Sequence, residues 1–214
     1  IVSRLRGRRA LRLLSLGIGG QTVSTTLRSQ LDIGEYHIVE GSGEIIATYC
    51  ATTSPPDNVI IHHERFENIN LEEHGFDAIE MGFVLEHVDD PDAVLRRFRA
   101  FLKPGGALFT AVPNARSLHR LVGHAAGLLQ DLHALSTADL ELGHKRYFDA
   151  RSFEAAVAAG GYAVTQRWGL VLKPLTSAQL ASLALPAATE QAFIDAGYPL
   201  HEICNGIMLV AHPA

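Results

Sequence analysis

Short apolar runs alternate with helical patterns along most of the chain, and this alternation limits the fold more than any other feature. Between the apolar runs lie stretches in which apolar residues recur every three or four positions. This order is typical of an α/β protein, a doubly wound and mostly parallel sheet with helices on both faces. The predicted strands are 11–16, 36–40, 59–62, 76–83, 107–112, 162–172 and 207–211.

The alternation stops after the fifth predicted strand. Residues 114–148 form a histidine-bearing stretch that we expect to be a helical insertion. The last two strands are separated by residues 173–200, which show no ordinary crossover pattern. An antiparallel final strand accounts for this, because antiparallel neighbours need no helical crossover. We therefore expect seven strands, of which the last is antiparallel.

Two helices have patterns that predict their buried faces. Asp90 can cap the helix that follows the fourth predicted strand. Pro91 suits the first position of this helix, because a backbone N–H there would have no hydrogen-bond partner within the helix. That helix should stop at KPGG, residues 103–106. Its predicted buried stripe is Val94, Leu95, Phe98 and Leu102. The helix after the first strand is predicted to bury Val23, Leu27 and Leu31.

Charge and hydropathy exclude two functional classes. The formal net charge of -5 argues against a nucleic-acid binder that relies on a broad basic surface. No run approaches the ~18 apolar residues that a membrane span needs. We expect neither a nucleic acid nor a membrane as a partner.

Length and cysteine content indicate the setting. A chain of 214 residues fits one domain with a sizeable core, which we place at 1–214. The two cysteines, Cys50 and Cys204, suit a reducing compartment, so we expect a cytoplasmic protein. Because the chain begins at Ile1 rather than methionine, we expect further residues before it.

A glycine turn, GIGG at residues 17–20, follows the first strand and leads into a helix. Such a turn places backbone N–H groups and a positive helix end at the carboxyl edge of the sheet. Gly17 and Gly19 lack a Cβ, so a ligand can approach the backbone closely. Glu40 ends the second strand, where an acid can accept hydrogen bonds from both ribose hydroxyls. The turn therefore indicates a nucleotide-type ligand.

Two common nucleotide classes fit this turn poorly. The third glycine of the NAD fingerprint is replaced by Thr22, and no phosphate loop of the G-x-x-x-x-G-K-[ST] type is present. A carboxylate at Glu40 also repels a 2′-phosphate, which argues against NADP. An NAD oxidoreductase stays open as a weaker alternative.

Residues 76–114, FDAIEMGFVLEHVDDPDAVLRRFRAFLKPGGALFTAVPN, closely resemble class I S-adenosylmethionine-dependent methyltransferases that act on small molecules. The shared pattern is a strand beginning Phe-Asp, an LEH step, a helix opened by Asp-Pro, and Lys-Pro-Gly-Gly before a strand. The later GHKRYFDARSFEAAVAAGGYAV is similar to the family's segment before its sixth strand. The resemblance runs from about Leu11 to Ala211 and implies a Rossmann-like fold.

The resemblance also implies S-adenosyl-L-methionine as the cofactor and assigns residues to its parts. The glycine turn would hold the carboxylate, Glu40 the ribose, residues 64–66 the adenine, and residues 81–83 the methionine moiety. The predicted cofactor-binding residues are Gly17, Ile18, Gly19, Glu40, Glu64, Arg65, Phe66, Met81, Gly82 and Phe83. The family usually has an acid where Ser15 stands and a glycine where Gln21 stands.

The eleven histidines do not show metal-ligand spacing. His62 and His63 are neighbours on a strand, so their side chains point to opposite faces. His119 and His124 are five residues apart on a predicted helix, which does not stack them on one face. We therefore expect no metal site, and we expect Glu86-His87 chiefly to shape the loop after the fourth strand.

The 114–148 insertion is predicted to be a substrate lid, because it follows the fifth strand at the carboxyl edge where ligands collect. Asn114 and His87 are the predicted substrate-binding residues. The predicted catalytic residues are His119 and His144 as candidate bases and Tyr147, whose ring could face the sulfonium.

These features predict methyl transfer from S-adenosylmethionine to nitrogen or oxygen of a small molecule in a biosynthetic pathway. One alternative is a non-methylating enzyme that cyclises or eliminates the aminobutyrate arm and releases methylthioadenosine. Another is a binding module without catalytic activity. The acceptor and the oligomeric state are left open.

Overall fold

Seven strands of the computed structural model, which describes residues 1–214, belong to one sheet. They are β1 (Leu11–Leu16), β2 (Ile33–Glu40), β3 (Val59–His63), β4 (Phe76–Gly82), β5 (Leu102–Pro113), β6 (Tyr162–Leu170) and β7 (Gly206–Pro213). Their order across the sheet is β3-β2-β1-β4-β5-β7-β6. β1 to β5 run parallel, and β7 is antiparallel to both β5 and β6. The predicted seven-stranded sheet with an antiparallel final strand is confirmed.

Nine helices accompany the sheet, and the longest have 11 residues. None of them is both long enough and apolar enough to cross a membrane. The helices are α1 (Val2–Leu5), α2 (Thr22–Gln30), α3 (Gly43–Thr53), α4 (Pro91–Phe101), α5 (Leu118–Ala125), α6 (Thr137–Glu141), α7 (Ala150–Ala159), α8 (Ser177–Ser182) and α9 (Ala187–Gly197).

The sheet separates two hydrophobic layers, because successive side chains of a strand point to opposite faces. Leu14 of β1 belongs to a cluster of 24 buried residues that includes Phe98 of α4 and Phe153 of α7. Leu13, one position earlier, belongs to a cluster of 12 that includes Leu27 of α2. The two layers fix which strand residues face the core on each side of the sheet.

Helix α4 follows the predicted chemistry at its start and differs at its end. The carboxylate of Asp90 accepts a hydrogen bond from the Ala93 N–H at 2.9 Å, and Pro91 is the first helical residue. The buried residues are Val94, Leu95, Phe98 and Phe101. Leu102 is buried but extended and already belongs to β5, so its predicted place on the helix was wrong.

The predicted buried stripe of α2 is only partly correct. Leu27 is 3% exposed, but Val23 is 45% exposed. Val23 lies in the first turn of the helix and borders an open cavity instead of the core. Leu31 follows the helix and is partly buried against the smaller core cluster.

The segment 114–148 is less helical than predicted. It contains only α5 and α6, separated by 11 residues without regular helix. Gly127 adopts a left-handed conformation (φ 73°) just after α5, which is how helices commonly end. The segment 173–200, which showed no pattern in the sequence, contains α8 and α9.

Candidate active site

The glycine turn after β1 leaves its ligand-facing side open. Gly17 and Gly19 both have left-handed backbones, with φ of 83° and 54°. A Cβ built on either residue would have no heavy atom within 4 Å. The Gly17 N–H donates to the Val39 carbonyl at 2.8 Å, which ties the turn to the end of β2. The turn is therefore fixed in position and has room beside it.

Gln21 keeps this turn geometry although it stands where the family has glycine. Its backbone is also left-handed, with φ of 62°, and it precedes the first residue of α2. Its side-chain oxygen accepts a hydrogen bond from the Thr53 hydroxyl at 3.0 Å. A side-chain-bearing residue in this conformation costs about 1–2 kcal/mol. Replacing glycine by Gln21 therefore raises the conformational free energy of the turn and leaves its backbone shape unchanged.

Glu40 joins the turn after β1 to the turn after β2. One carboxylate oxygen accepts from the Ile18 N–H at 3.2 Å, and the other accepts from the Ser42 N–H at 2.8 Å. An ionised carboxylate offers about four acceptor positions, so two remain for ligand hydroxyls. The geometry fits the predicted ribose-binding role.

Of the cavities that border these residues, two are lined by most of the predicted cofactor-binding residues. The first, which we call the turn cavity, has a volume of about 430 Å³ and lies between the glycine turn and the carboxyl ends of β4 and β5. The second, the Glu40 cavity, has a volume of about 280 Å³. The predicted cofactor residues that line the turn cavity are Gly17, Ile18, Gly19, Gly82 and Phe83. Those that line the Glu40 cavity are Glu40, Arg65 and Phe66.

Two predicted cofactor residues line neither cavity. Met81 is 0% exposed and its side chain packs in the larger core cluster, so it does not reach either cavity. The alternation of the strand explains this, because Glu80 and Gly82 on either side of it face the turn cavity. Glu64 is exposed, and its carboxylate accepts a hydrogen bond from the Arg65 N–H at 2.9 Å.

Phe83 is a strained residue at the end of β4. Its backbone is left-handed, with φ of 57°, which is rare for an aromatic residue. Its N–H donates to the Ala111 carbonyl at 2.7 Å, and its side chain is 47% exposed beside the turn cavity. Strain of this kind is concentrated at binding and catalytic sites.

Glu80 is the only acidic side chain that lines the turn cavity. Burial raises the pKa of its carboxyl to about 7, and hydrogen bonds from Ser15 and the Gly82 N–H oppose this shift. The Gly82 N–H lies 2.9 Å from the nearer carboxyl oxygen. No sequence motif marked Glu80, because its importance depends on which strand lies beside β1.

Ser15 occupies the position of the family's usual acid and is closed off in the core. It is 3% exposed, and its hydroxyl forms a 2.7 Å hydrogen bond with the Tyr36 hydroxyl. In the β1–β4 ladder Ser15 is paired with Glu80. An acid is thus present beside the glycine turn, but it comes from the neighbouring strand.

The five predicted catalytic and substrate-binding residues line neither cavity. His119 forms a 3.1 Å hydrogen bond with the Ser117 hydroxyl. Burial, together with the charges of Lys173 and Arg120, lowers the pKa of His119 to about 4. So weak a base is poorly matched to proton abstraction near neutral pH, and the base role of His119 stays a prediction.

Tyr147 has both its hydroxyl and its ring occupied by protein groups. The hydroxyl donates to Asp139 at 3.0 Å, and the Arg120 guanidinium lies 4.1 Å from the ring centroid. Burial raises the pKa of Tyr147 to about 12. Arg120 already supplies a cation at one face of this ring, and the contact predicted between the ring and the sulfonium stays a prediction.

Asn114 is similarly engaged within the protein. It is 1% exposed, and its amide group donates to the carbonyls of Glu202 and Cys204 at 2.9 Å each. Its side-chain oxygen accepts from the Arg116 N–H at 2.9 Å. These contacts join the end of β5 to the segment before β7, and they leave the predicted substrate contact without a free donor.

His144 lies beside residues of the loop after β4. Its ring packs edge-on against His87 with a centroid distance of 4.8 Å. Burial and the neighbouring His87 lower the pKa of His144, while Asp139 opposes the shift. Burial also raises the pKa of Glu86, which precedes His87, to about 7. The base role predicted for His144 and the substrate contact predicted for His87 stay predictions.

The doubly wound sheet, its glycine turn and the acid at the end of β2 are typical of nucleotide-binding α/β folds. A family model for a methyltransferase domain matches residues 1–167, so the chain belongs to the methyltransferase domain family. The family is that of the class I S-adenosylmethionine-dependent methyltransferases, whose cofactor is S-adenosylmethionine. No curated protein matches the sequence significantly.

Solved structures share the fold at low identity. An S-adenosylmethionine-dependent methyltransferase from Mesorhizobium loti is 16% identical, with a TM-score of 0.67 over 98% of this chain and 94% of its own. Geranyl diphosphate methyltransferase in complex with S-adenosylmethionine is 15% identical, with a TM-score of 0.65 over 100% and 82%. The [4+2]-cyclase SpnF is 18% identical, with a TM-score of 0.65 over 99% and 79%. These similarities show the fold and leave the reaction and the acceptor open.

We predict that Gly19→Val blocks the cofactor without unfolding the protein. The new side chain would project into the space beside the turn, so the affinity for S-adenosylmethionine should fall by about tenfold or more in calorimetric titration. Gly127→Val is the matched control, because Gly127 is also left-handed and has equally open surroundings. Equal affinities of the two variants would show that the turn does not contact the cofactor.

We predict that Tyr147→Phe lowers stability and leaves methyl transfer intact. Loss of the hydrogen bond to Asp139 should reduce the free energy of unfolding by about 1–3 kcal/mol in urea titration. Tyr198→Phe, at an exposed tyrosine, should change it by less than about 0.5 kcal/mol. A Tyr147→Phe protein of normal stability with impaired turnover would instead restore the catalytic role.

Proposed function

We propose that this enzyme transfers the methyl group of S-adenosylmethionine to a nitrogen or oxygen atom of a small molecule. The observation that supports this most is the position of the two cavities on either side of the Ile18–Glu40 hydrogen bond. A nucleoside end and an amino-acid end of one ligand would each have a separate, differently lined site there. Such a mix of apolar lining and a few oriented polar groups is typical of small-molecule sites.

The residues present fit this cofactor in four places. Glu40 would accept hydrogen bonds from the ribose hydroxyls, and Phe66 would pack on the adenine. The open glycine turn would receive the carboxylate at its backbone N–H groups. Glu80 would receive the ammonium group. When bound, S-adenosylmethionine supplies a methyl group that its sulfonium activates for transfer.

The chain then has to align an acceptor and exclude water. Apolar side chains at the far side of the turn cavity, Phe109, Leu170 and Met208, would keep that region dry. Holding the reacting atoms about 3 Å apart removes most of the entropic barrier. No histidine lines either cavity, so an amine, which needs alignment but little base catalysis, is the simpler acceptor.

The test of methyl transfer is identification of the products formed from S-adenosylmethionine. We expect S-adenosylhomocysteine and a methylated amine when the protein is incubated with the cofactor and a panel of small amines, followed by mass spectrometry. The Gly19→Val variant is the control for background hydrolysis. Methylthioadenosine as the product would support the non-methylating alternative, and cofactor binding without any product would support a binding module.

We further propose that Glu80 takes the role of the acid that is absent at Ser15. The two residues are paired across the β1–β4 ladder, so an acid on either strand would face the same side of the sheet beside the glycine turn. Tyr36, which lies close to Glu80, stays in its neutral form because burial raises its pKa. Within the turn cavity a cationic ammonium would face a single carboxylate, that of Glu80.

We predict that Glu80→Gln lowers the affinity for S-adenosylmethionine by about 10- to 100-fold, since a charge-assisted hydrogen bond contributes about 1.5–3 kcal/mol. The affinity of the unaltered protein should rise from about pH 6 to about pH 8, as Glu80 with its pKa of about 7 becomes charged. Glu80→Gln should remove this rise.

Calorimetric titrations across the pH range measure both effects, and Glu73→Gln, at an exposed glutamate, is the control. The proposal would be overturned if Glu80→Gln bound the cofactor normally and kept the same pH dependence.

A further inference from the structure

We propose that Glu86, His87 and His144 form a binding site for a divalent transition-metal ion. The three side chains each offer one ligand atom, and these atoms lie within 4.8 Å of one another. Glu86 and His87 belong to the loop after β4, whereas His144 lies just before α7. None of the three lines the turn cavity or the Glu40 cavity, so the site is distinct from the proposed cofactor site.

The donor set indicates the class of ion. Imidazole nitrogen suits zinc, iron and other first-row transition metals, whereas magnesium and calcium prefer sites made of oxygen ligands. Two histidines and one carboxylate form a common three-ligand set for zinc and ferrous iron. Three protein donors are fewer than these ions take, so water or an oxygen atom of another molecule would complete the coordination.

Glu86 provides the independent observation that points to a cation. Its side chain is 0% exposed, yet neither carboxylate oxygen has a hydrogen-bond partner. A buried acid without a partner is costly, and native proteins rarely keep one without a reason. An ion bound to this carboxylate would supply the missing partner for the charge.

Asp139 lies where it can orient His144. Its carboxylate is 3.4 Å from Nδ1 of His144, although the two groups are not aligned for a hydrogen bond. Metal-binding histidines commonly direct their second ring nitrogen towards a carboxylate, which fixes the ring. Asp139 is itself held by the Ser136 N–H and by the Tyr147 hydroxyl. This arrangement leaves the opposite nitrogen of His144 to bind the ion.

The ion would also join two parts of the chain that already touch. The Lys145 N–H donates to the Glu86 carbonyl at 2.8 Å, which holds the 114–148 segment against the loop after β4. A bound ion would add a side-chain connection at the same place. Metal binding should therefore stabilise the folded protein as any ligand of the native state does.

Titration of chelator-treated protein with cobalt chloride tests the site without cofactor or acceptor. We expect saturable uptake of one ion for each chain, with a visible cobalt absorption band and a higher melting temperature. His87→Gln and His144→Gln should each weaken binding by about tenfold or more. His124→Gln is the matched control, because His124 is an exposed histidine of the same segment outside the cluster.

Glu86→Gln tests the carboxylate with little change of shape, and it should also weaken binding. If that variant does not fold, the two histidine variants decide, because their side chains are less buried than Glu86. Absence of saturable binding by the unaltered protein would overturn the proposal. Binding that persists in both His87→Gln and His144→Gln would overturn it as well.

Discussion

The carboxylate of Glu40 holds together the two backbone turns on which the rest of the site depends. Parallel pairing of β1 and β2 brings their carboxyl ends to one edge, and Glu40 then accepts N–H groups from Ile18 and Ser42. Each of these N–H groups would cost about 1–3 kcal/mol if it were left buried and unpaired. Structure and ligand binding are therefore inseparable at this residue, since its removal would disturb the turn before any ligand arrived. Gly19 faces the turn cavity without holding a second turn in place, so its substitution reports on binding more directly.

Local signals in the sequence predicted the elements that form locally. The strand 11–16 has the predicted bounds, and the cap at Asp90 and Pro91 is correct because capping acts within one helical turn. The loop between α5 and α6 was not predicted, because the apolar residues that follow Gly127 favoured a helix that continued beyond it. Helices α8 and α9 were missed for the opposite reason. They bury almost nothing, with Gly197 as their one buried residue, so the sequence shows no apolar stripe.

The residues of the candidate site likewise fall into those that local sequence predicts and those that depend on contacts between distant parts of the chain. The glycine turn and Glu40 follow from spacing along the chain, whereas Glu80 matters only because β4 lies beside β1 with a definite register. Met81 illustrates how much depends on one position, because a shift of one residue along a strand moves a side chain from the cavity to the core. The cluster of Glu86 and His144 joins residues far apart in the chain, and no local pattern encodes such a contact. The structure thus has an acid beside the turn although Ser15 stands where the resemblance leads one to expect it, and the motif does not show this.

Both unexpected acids lie on β4 or in the loop that follows it, and a buried carboxylate works against folding. The pKa of Glu80 in the folded protein is raised to about 7 from its usual 4.5. Between these values the folded state holds a proton that the unfolded chain has lost, so stability falls as the pH rises through this window. A cation next to the carboxylate favours the charged form and reverses that loss. The buried charge destabilises the empty protein, and a cationic ligand removes this cost when it binds. Part of the folding free energy is in this way converted into ligand affinity. This trade-off between stability and function gives a physical reason for keeping a buried acid beside the turn.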